Sequence, residues 1–229
     1  MESRVAASLA TLTACEWDAL VPDGALFLRH AFLAGLEQSG CIAAETGWES
    51  AHVLLTDAQG LAAAAPAYLK THSYGEFVFD FSWAQAYARA GLEYYPKLVV
   101  AVPFTPATGP RLLVRPGLDP VTLKRRLLVR LAALARERGA SSAHVLFPDD
   151  ADTAALDEAG WLGRRDCQFH WHNRGYTSFD HYLGSFTAEK RKKARREVFL
   201  DEMELVVPWK ALLGLSEPHY PMNGRGRRP

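Results

Sequence analysis

Apolar positions along the chain change period several times, and each change marks an element. Between residues 25 and 39, Leu26, Phe27, His30, Leu33 and Leu36 recur near helical spacing and Gly40 follows as a stop, which predicts a first helix. Residues 51–70 carry two apolar runs around Asp57-Ala58-Gln59-Gly60, the pattern of a β-hairpin whose turn uses the backbone freedom of Gly60. Pro66 has no N–H to give to a ladder, so its strand is expected at an edge or beside a bulge. Residues 83–90 read as a short helix and 97–102 as an apolar, β-branched strand. A second short strand at 111–115 follows a loop stiffened by Pro103, Pro106, Gly109 and Pro110. The clearest helix starts with Asp119 as N-cap and Pro120 at the first helical position. Its stripe of Leu123, Leu127, Leu131 and Leu134, widened by Leu128, ends at Gly139. A strand at 142–147, a helix at 151–159 stopped by Gly160, and an alternating strand at 167–176 complete the series.

Strands interleave with helices and one adjacent pair is a hairpin. That order predicts an α/β fold with a mixed sheet over residues 1–177. Apolar residues make up 48% and charged residues 23%, enough for a core in a soluble globular chain. Lys plus Arg and Asp plus Glu are equal at 26 each, so only local charge clusters can speak about partners. Cys15, Cys41 and Cys167 are widely spaced with no CxxC pair, which argues against a disulfide framework or a Cys-rich zinc site. No basic start followed by an apolar run marks a signal peptide, and the run "GLAAAAPAYL" is too short to span a bilayer. A cytoplasmic protein without a membrane span is expected.

Common catalytic patterns are missing: there is no GxSxG, GxxxxGK[ST], HExxH or GxGxxG. The densest polar–aromatic cluster is "FHWHNRGY". As a strand it sets His170, His172 and Arg174 on one face and Phe169, Trp171 and Asn173 on the other. Two His on one face suit a metal, but no third partner is apparent, so no metal is assigned. The remaining readings are a strand with locally bonded His side chains, or a ligand site at the strand end that also takes in Tyr176. In "YYPKLVVAVPFTPATGPRLL", Lys97 and Arg111 flank the Pro-rich loop. They read either as holders of an anionic substrate group in a preformed pocket or as plain surface cations.

That stretch, together with "FHWHNRGYTSFDHYLGSFTAEKRKK", resembles a bacterial family of FemAB-like proteins over about residues 3–193. Its members are described as peptidoglycan biosynthesis or recognition proteins and grouped with GNAT-type N-acyltransferases. The resemblance implies a GNAT-like half-domain in residues 1–177. It also implies transfer of an acyl or aminoacyl group from an acyl-CoA or aminoacyl donor to a small-molecule or peptide amine acceptor. The chain departs from the pattern in lacking an [QR]xxGx[GA] loop, the cradle for an acyl-CoA pyrophosphate at a helix N-terminus. No catalytic residue is carried over.

Residues 178–195 read as a linker and basic helix, opened by Thr177 as cap with Asp180 at its third position. Lys190, Arg191, Lys192, Lys193, Arg195 and Arg196 surround it with cations, either a solvated face or a contact for phosphate or nucleic acid. No aromatic residue interleaves with them to stack on bases. Residues 192–229, most specifically "EVFLDEMELVVPWKALLGLSEPHYP", resemble the N-terminal segment of a DDE-type insertion-sequence transposase. The expectation is a FemAB-like chain truncated between about Lys190 and Val198, joined to a helical fragment over 196–229, and inactive; the alternatives are a non-catalytic ligand- or partner-binding module, or DNA binding through the basic run and the transposase-like tail. The fragment's apolar faces (Val198, Phe199, Met203, Val206; Trp209, Leu212, Leu213, Leu215) would favour self-association.

Overall fold

The computed structural model describes residues 1–165, 167 and 171–195; the side chains of 192–195 lie outside that description. These residues fall into two compact units, one of residues 1–163 and one beginning at Arg164. The expectations for residues 196–229 lie outside the described residues. Among the described residues no helix is long and apolar enough to cross a membrane.

The first unit runs β1 (Glu2–Ala6), α1 (Ala14–Asp18), α2 (His30–Gln38), β2 (Trp48–Ser50), β3 (His52–Asp57), β4 (Gly60–Ala65), β5 (Ala67–Lys70), α3 (Phe81–Arg89), β6 (Lys97–Val100), β7 (Leu113–Val114), α4 (Pro120–Glu137), β8 (Ala143–Val145) and α5 (Asp150–Glu158). The class is mixed α/β, as the apolar pattern predicts. The strands, however, form two four-stranded sheets, in the orders β1-β3-β4-β7 and β2-β5-β6-β8. Every pairing is antiparallel except β6 with β8. The hairpin forms at the predicted turn, with Asp57 opposite Gly60.

Both strands of that hairpin change sheet, at Ala51 and at Pro66. Pro66 is therefore neither on an edge strand nor inside a ladder. It occupies the break between β4 and β5, where no N–H is asked of it, and its carbonyl accepts from Ala101 N at 3.2 Å. The helix expected over 25–39 is also divided. Leu26–Leu28 make a 3-10 turn, Arg29 is extended, and α2 begins at His30, whose N–H is taken by Asp18 Oδ1 at 2.7 Å. A carboxylate supplied by α1 thus ends one turn and starts the next helix.

The α4 stripe does what its period predicts. Leu123, Leu127, Leu131 and Leu134 are buried against Val53, Leu55, Ala63 and Ala65 of one sheet and Leu98 and Val100 of the other. One helix thus closes one side of both sheets, each fully buried Leu contributing about 1.5–3 kcal/mol. On the opposite side of the first sheet, Leu54, Ala64 and Leu113 pack on Trp17, Leu20 and Leu33. The Trp17 indole donates to Leu28 O at 2.7 Å.

A polar strut fixes the loop between β6 and β7. Asp152 at the start of α5 is fully buried and accepts from the backbone N–H of Arg111 at 2.5 Å and of Leu112 at 3.0 Å. Lys124 Nζ of α4 lies 2.7 Å from its other oxygen. Replacement by Asp152→Ala strands two buried N–H groups and a largely buried ammonium. A loss of about 3–5 kcal/mol is expected, read as a lower urea midpoint with an unchanged slope.

Candidate functional site

Register places Lys70 of β5 directly opposite Lys97 of β6, and Tyr68 opposite Val99. Alternation along the strands puts these four on one face, away from the α4 side to which Leu98 and Val100 turn. Lys70 and Lys97 are 0% and 1% exposed. Two ammonium groups side by side in a closed interior repel each other and lose their hydration, so the face demands counter-charge. The segment after β5 supplies it. Lys97 Nζ donates to Asp80 Oδ2 at 2.5 Å and to Ser73 Oγ at 2.8 Å. Glu76 Oε2 lies 2.8 Å away as an ion pair without hydrogen-bond geometry. The Tyr94 hydroxyl donates to the same Asp80 oxygen at 2.7 Å, and the Tyr95 hydroxyl meets Ser73 at 2.8 Å.

Lys70 is less well served. Its Nζ donates to Tyr74 O at 3.2 Å and lies 3.7 Å from the centre of the Trp48 ring. Burial, joined by the charge on Lys97, brings the Lys70 ammonium down to about 7 against the pull of Glu76. Burial likewise raises the Glu76 carboxyl despite Lys97 beside it. Asp80 is also penalised by burial, but hydrogen bonds, that from Lys97 foremost, hold it below its ordinary value. The cluster thus holds one firm pair, Asp80 with Lys97, and two groups pushed toward neutrality, Lys70 and Glu76.

Backbone around the cluster is strained. Phe77, Phe104 and Phe147 have φ of 58°, 58° and 50°, a left-handed region costing about 1–3 kcal/mol for such residues. Phe104 N donates to Gly75 O at 3.0 Å. A Cβ on Gly75 would come 2.6 Å from the Phe104 ring, so this approach requires glycine. Three loops, around residues 75, 104 and 147, are held in set positions at the expense of local strain.

A second polar knot lies between α2 and the strands. Glu37 accepts from Ser8 Oγ at 2.7 Å, Leu9 N at 2.9 Å and Ser50 Oγ at 2.7 Å, and pairs with His52 Nε2 at 2.9 Å. Burial alone would raise Glu37, but these bonds, led by His52 and Ser50, bring it down to about 2.

Lys97 and Arg111 are both buried, and their partners differ. Arg111 donates to the carbonyls of Leu146 at 2.9 Å, Pro110 at 2.9 Å and Ala107 at 2.5 Å. Neither cation is a surface charge, and the structure gives them no common partner.

In the second unit, residues 171–176 form a turn rather than the expected strand. Asn173 donates to Tyr176 O at 3.0 Å and accepts from Tyr176 N at 2.7 Å, so a side chain captures the backbone groups a ladder would use. The two-face assignment of His172 and Arg174 fails with the strand; both are exposed. Tyr176 stacks on Trp171 and meets Tyr182 edge-on. His170 lies outside the described residues. Helix α6 (Phe179–Gly184) is capped by Ser178, one residue after the expected Thr177. In α7 (Ala188–Arg195), Lys190 is exposed. Arg191 instead donates to Leu183 O at 3.1 Å and Phe186 O at 3.0 Å. The side chains of Lys192, Lys193 and Arg195, and Arg196 entirely, lie outside the described residues.

Lys70, Glu76 and Asp80 escape a reading of the sequence. Their one signal is a pair of acids four residues apart in the otherwise aromatic "SYGEFVFD". Among the described residues no group of three or more His, Cys, Asp or Glu is arranged for a metal ion.

A family model described as FemAB-like, peptidoglycan biosynthesis/recognition, matches residues 8–206. The chain is also similar to an aminoglycoside 6'-N-acetyltransferase from Acinetobacter haemolyticus, at 12% identity and a TM-score of 0.46, covering 76% of this chain and 99% of that one. A probable acetyltransferase gives 13% identity and a TM-score of 0.42, covering 78% and 99%.

The Glu37 knot predicts a pH dependence. Its carboxyl is depressed in the folded state, so its contribution is present above about 4.5 and is lost as pH falls toward about 2. Urea unfolding across that window is expected to show a loss on the order of 3 kcal/mol from this group. That part of the slope should be absent in Glu37→Gln.

Proposed function

We propose that this chain, which belongs to the FemAB-like family of peptidoglycan biosynthesis and recognition, serves the transfer of an acyl or aminoacyl group to an amine acceptor of the cell-wall precursor type. The family match over residues 8–206 is the observation that carries this reading.

The two donors implied by the resemblance are not equally suited to residues 1–163. A helix N-terminus binds a diphosphate through free N–H groups and its positive dipole end. At α4, Pro120 has no N–H to offer. Val121 N and Thr122 N already donate to Asp119 Oδ1 at 3.1 Å and Oδ2 at 3.4 Å. A carboxylate thus stands where the diphosphate would sit and repels it. The α4 N-terminus does not fit an acyl-CoA diphosphate, and on that ground we favour an aminoacyl ester donor. In such a transfer the acceptor nitrogen forms an amide bond to the acyl carbon while the ester C–O bond breaks. The proton lost by the amine ends on the released alcohol.

Residues 192–206 belong both to the transposase-like segment and to the family match. We propose the junction between about residues 190 and 198, so that the family match extends past it. DNA beyond the coding region tests it: continuing transposase codons support the junction, and continuing FemAB-like codons remove it.

The chain, an amine-bearing cell-wall peptide and either an aminoacyl ester or acetyl-CoA can be incubated and read by mass spectrometry. In place of the inactivity expected of a truncated chain, one added aminoacyl mass on the acceptor is expected from the ester and no acetyl mass from acetyl-CoA. Acetyl transfer would contradict the donor argument. Absence of transfer from both donors would remove the acyl-transfer reading.

A further inference from the structure

The cover over the dilysine face is anchored in an unusual way. Four residues between 71 and 94 are buried, Ser73, Glu76, Asp80 and Tyr94, and all four carry polar groups. Three of them touch Lys97 Nζ directly, and Tyr94 reaches it through Asp80. Of the segment's purely aliphatic side chains, Val78 packs on a core cluster, and it is only partly buried. Helix α3 buries no residue, and Tyr74, Phe81 and Leu92 are exposed. Apolar burial normally supplies the stability of a helix this short. Here all four buried residues of the segment converge on a single buried ammonium.

The closed arrangement is also incompletely satisfied on both sides. Glu76 Oε1 and Asp80 Oδ1 are buried acceptors with no hydrogen-bond donor among the described residues. The Lys70 ammonium has three protons and one oxygen acceptor, Tyr74 O. The cover brings two carboxylates to a face that offers two ammonium groups.

We propose that residues 71–94 form a cover latched on Lys97 by Glu76 and Asp80, and that the face beneath, with Lys70 and Lys97, takes a phosphate-type dianion when the cover lifts. The two carboxylates then stand in for the ligand, an intramolecular contact that keeps the site shut. A dianion matches their combined charge. It also has oxygens enough to accept from both ammonium groups at once, which two separate carboxylates attached to the cover do not achieve. Trp48, against which Lys70 already rests, forms an apolar wall beside that position. The inference rests on the cover geometry and stands whichever acyl group the protein moves.

Hydrogen exchange of the full-length protein, followed by mass spectrometry with and without inorganic phosphate, tests it. A competitor for Lys97 should release the cover, so phosphate is expected to speed exchange across residues 71–94 while leaving β3 and β4 unchanged. Glu76→Gln should show the same response at several-fold lower phosphate. Exchange across 71–94 that is unchanged or slowed by phosphate overturns the proposal. Equal acceleration by sodium chloride at matched ionic strength also overturns it, because general screening would then be the cause.

Discussion

The fold of the second sheet turns on where one positive charge goes. Lys97 begins a strand whose other residues are apolar and fully buried, so its side chain cannot reach water. An isolated ammonium in such a place is too costly to persist, and the chain answers with Asp80 and Glu76 from a segment lying seventeen to twenty-one residues upstream. The path of residues 71–95 follows from that need. It must cross the face of β5 and β6, present Glu76 and Asp80 inward, and leave Tyr74, Phe79, Phe81 and Trp83 at the surface.

Buried charge recurs as a structural device elsewhere in the first unit. Arg111 satisfies three carbonyls in and beside the loop between β6 and β7, while Asp152 gathers two backbone N–H groups and Lys124. Glu37 ties the N-terminal segment, α2 and the start of the strands together. Each knot joins elements far apart in sequence, and each fixes a loop without large apolar burial. This bears on function. Cations that would suit an anionic substrate are committed internally, and the α4 N-terminus is closed by its own Asp119. Donor recognition through a CoA diphosphate at that helix is therefore disfavoured. Recognition of an anionic group on the Lys70–Lys97 face needs the cover to move.

Elements defined by local pattern were legible in the sequence. The stripe of α4, its Asp119–Pro120 start and the Asp57–Gly60 hairpin all depend on residues within a few positions of each other. Division into two sheets was not, because a change of sheet at Ala51 and Pro66 leaves the apolar pattern unbroken. Helix 25–39 was read through Arg29 because the Asp18 carboxylate that interrupts it comes from another element. The strand expected over 167–176 gave way where Asn173 took the backbone of Tyr176. Lys97 and Arg111, which the sequence offers as anion holders or surface cations, are both buried. Their burial and their partners are set by tertiary packing, which no spacing rule reveals.

Urea unfolding of Lys97→Met beside the triple variant Lys97→Met/Glu76→Gln/Asp80→Asn tests the central role of the buried ammonium. The single substitution leaves two buried carboxyl groups without their cation and is predicted to cost about 3–5 kcal/mol, with the triple variant recovering most of that loss. A single variant as stable as the wild type, or a triple variant no more stable than the single, would contradict the account.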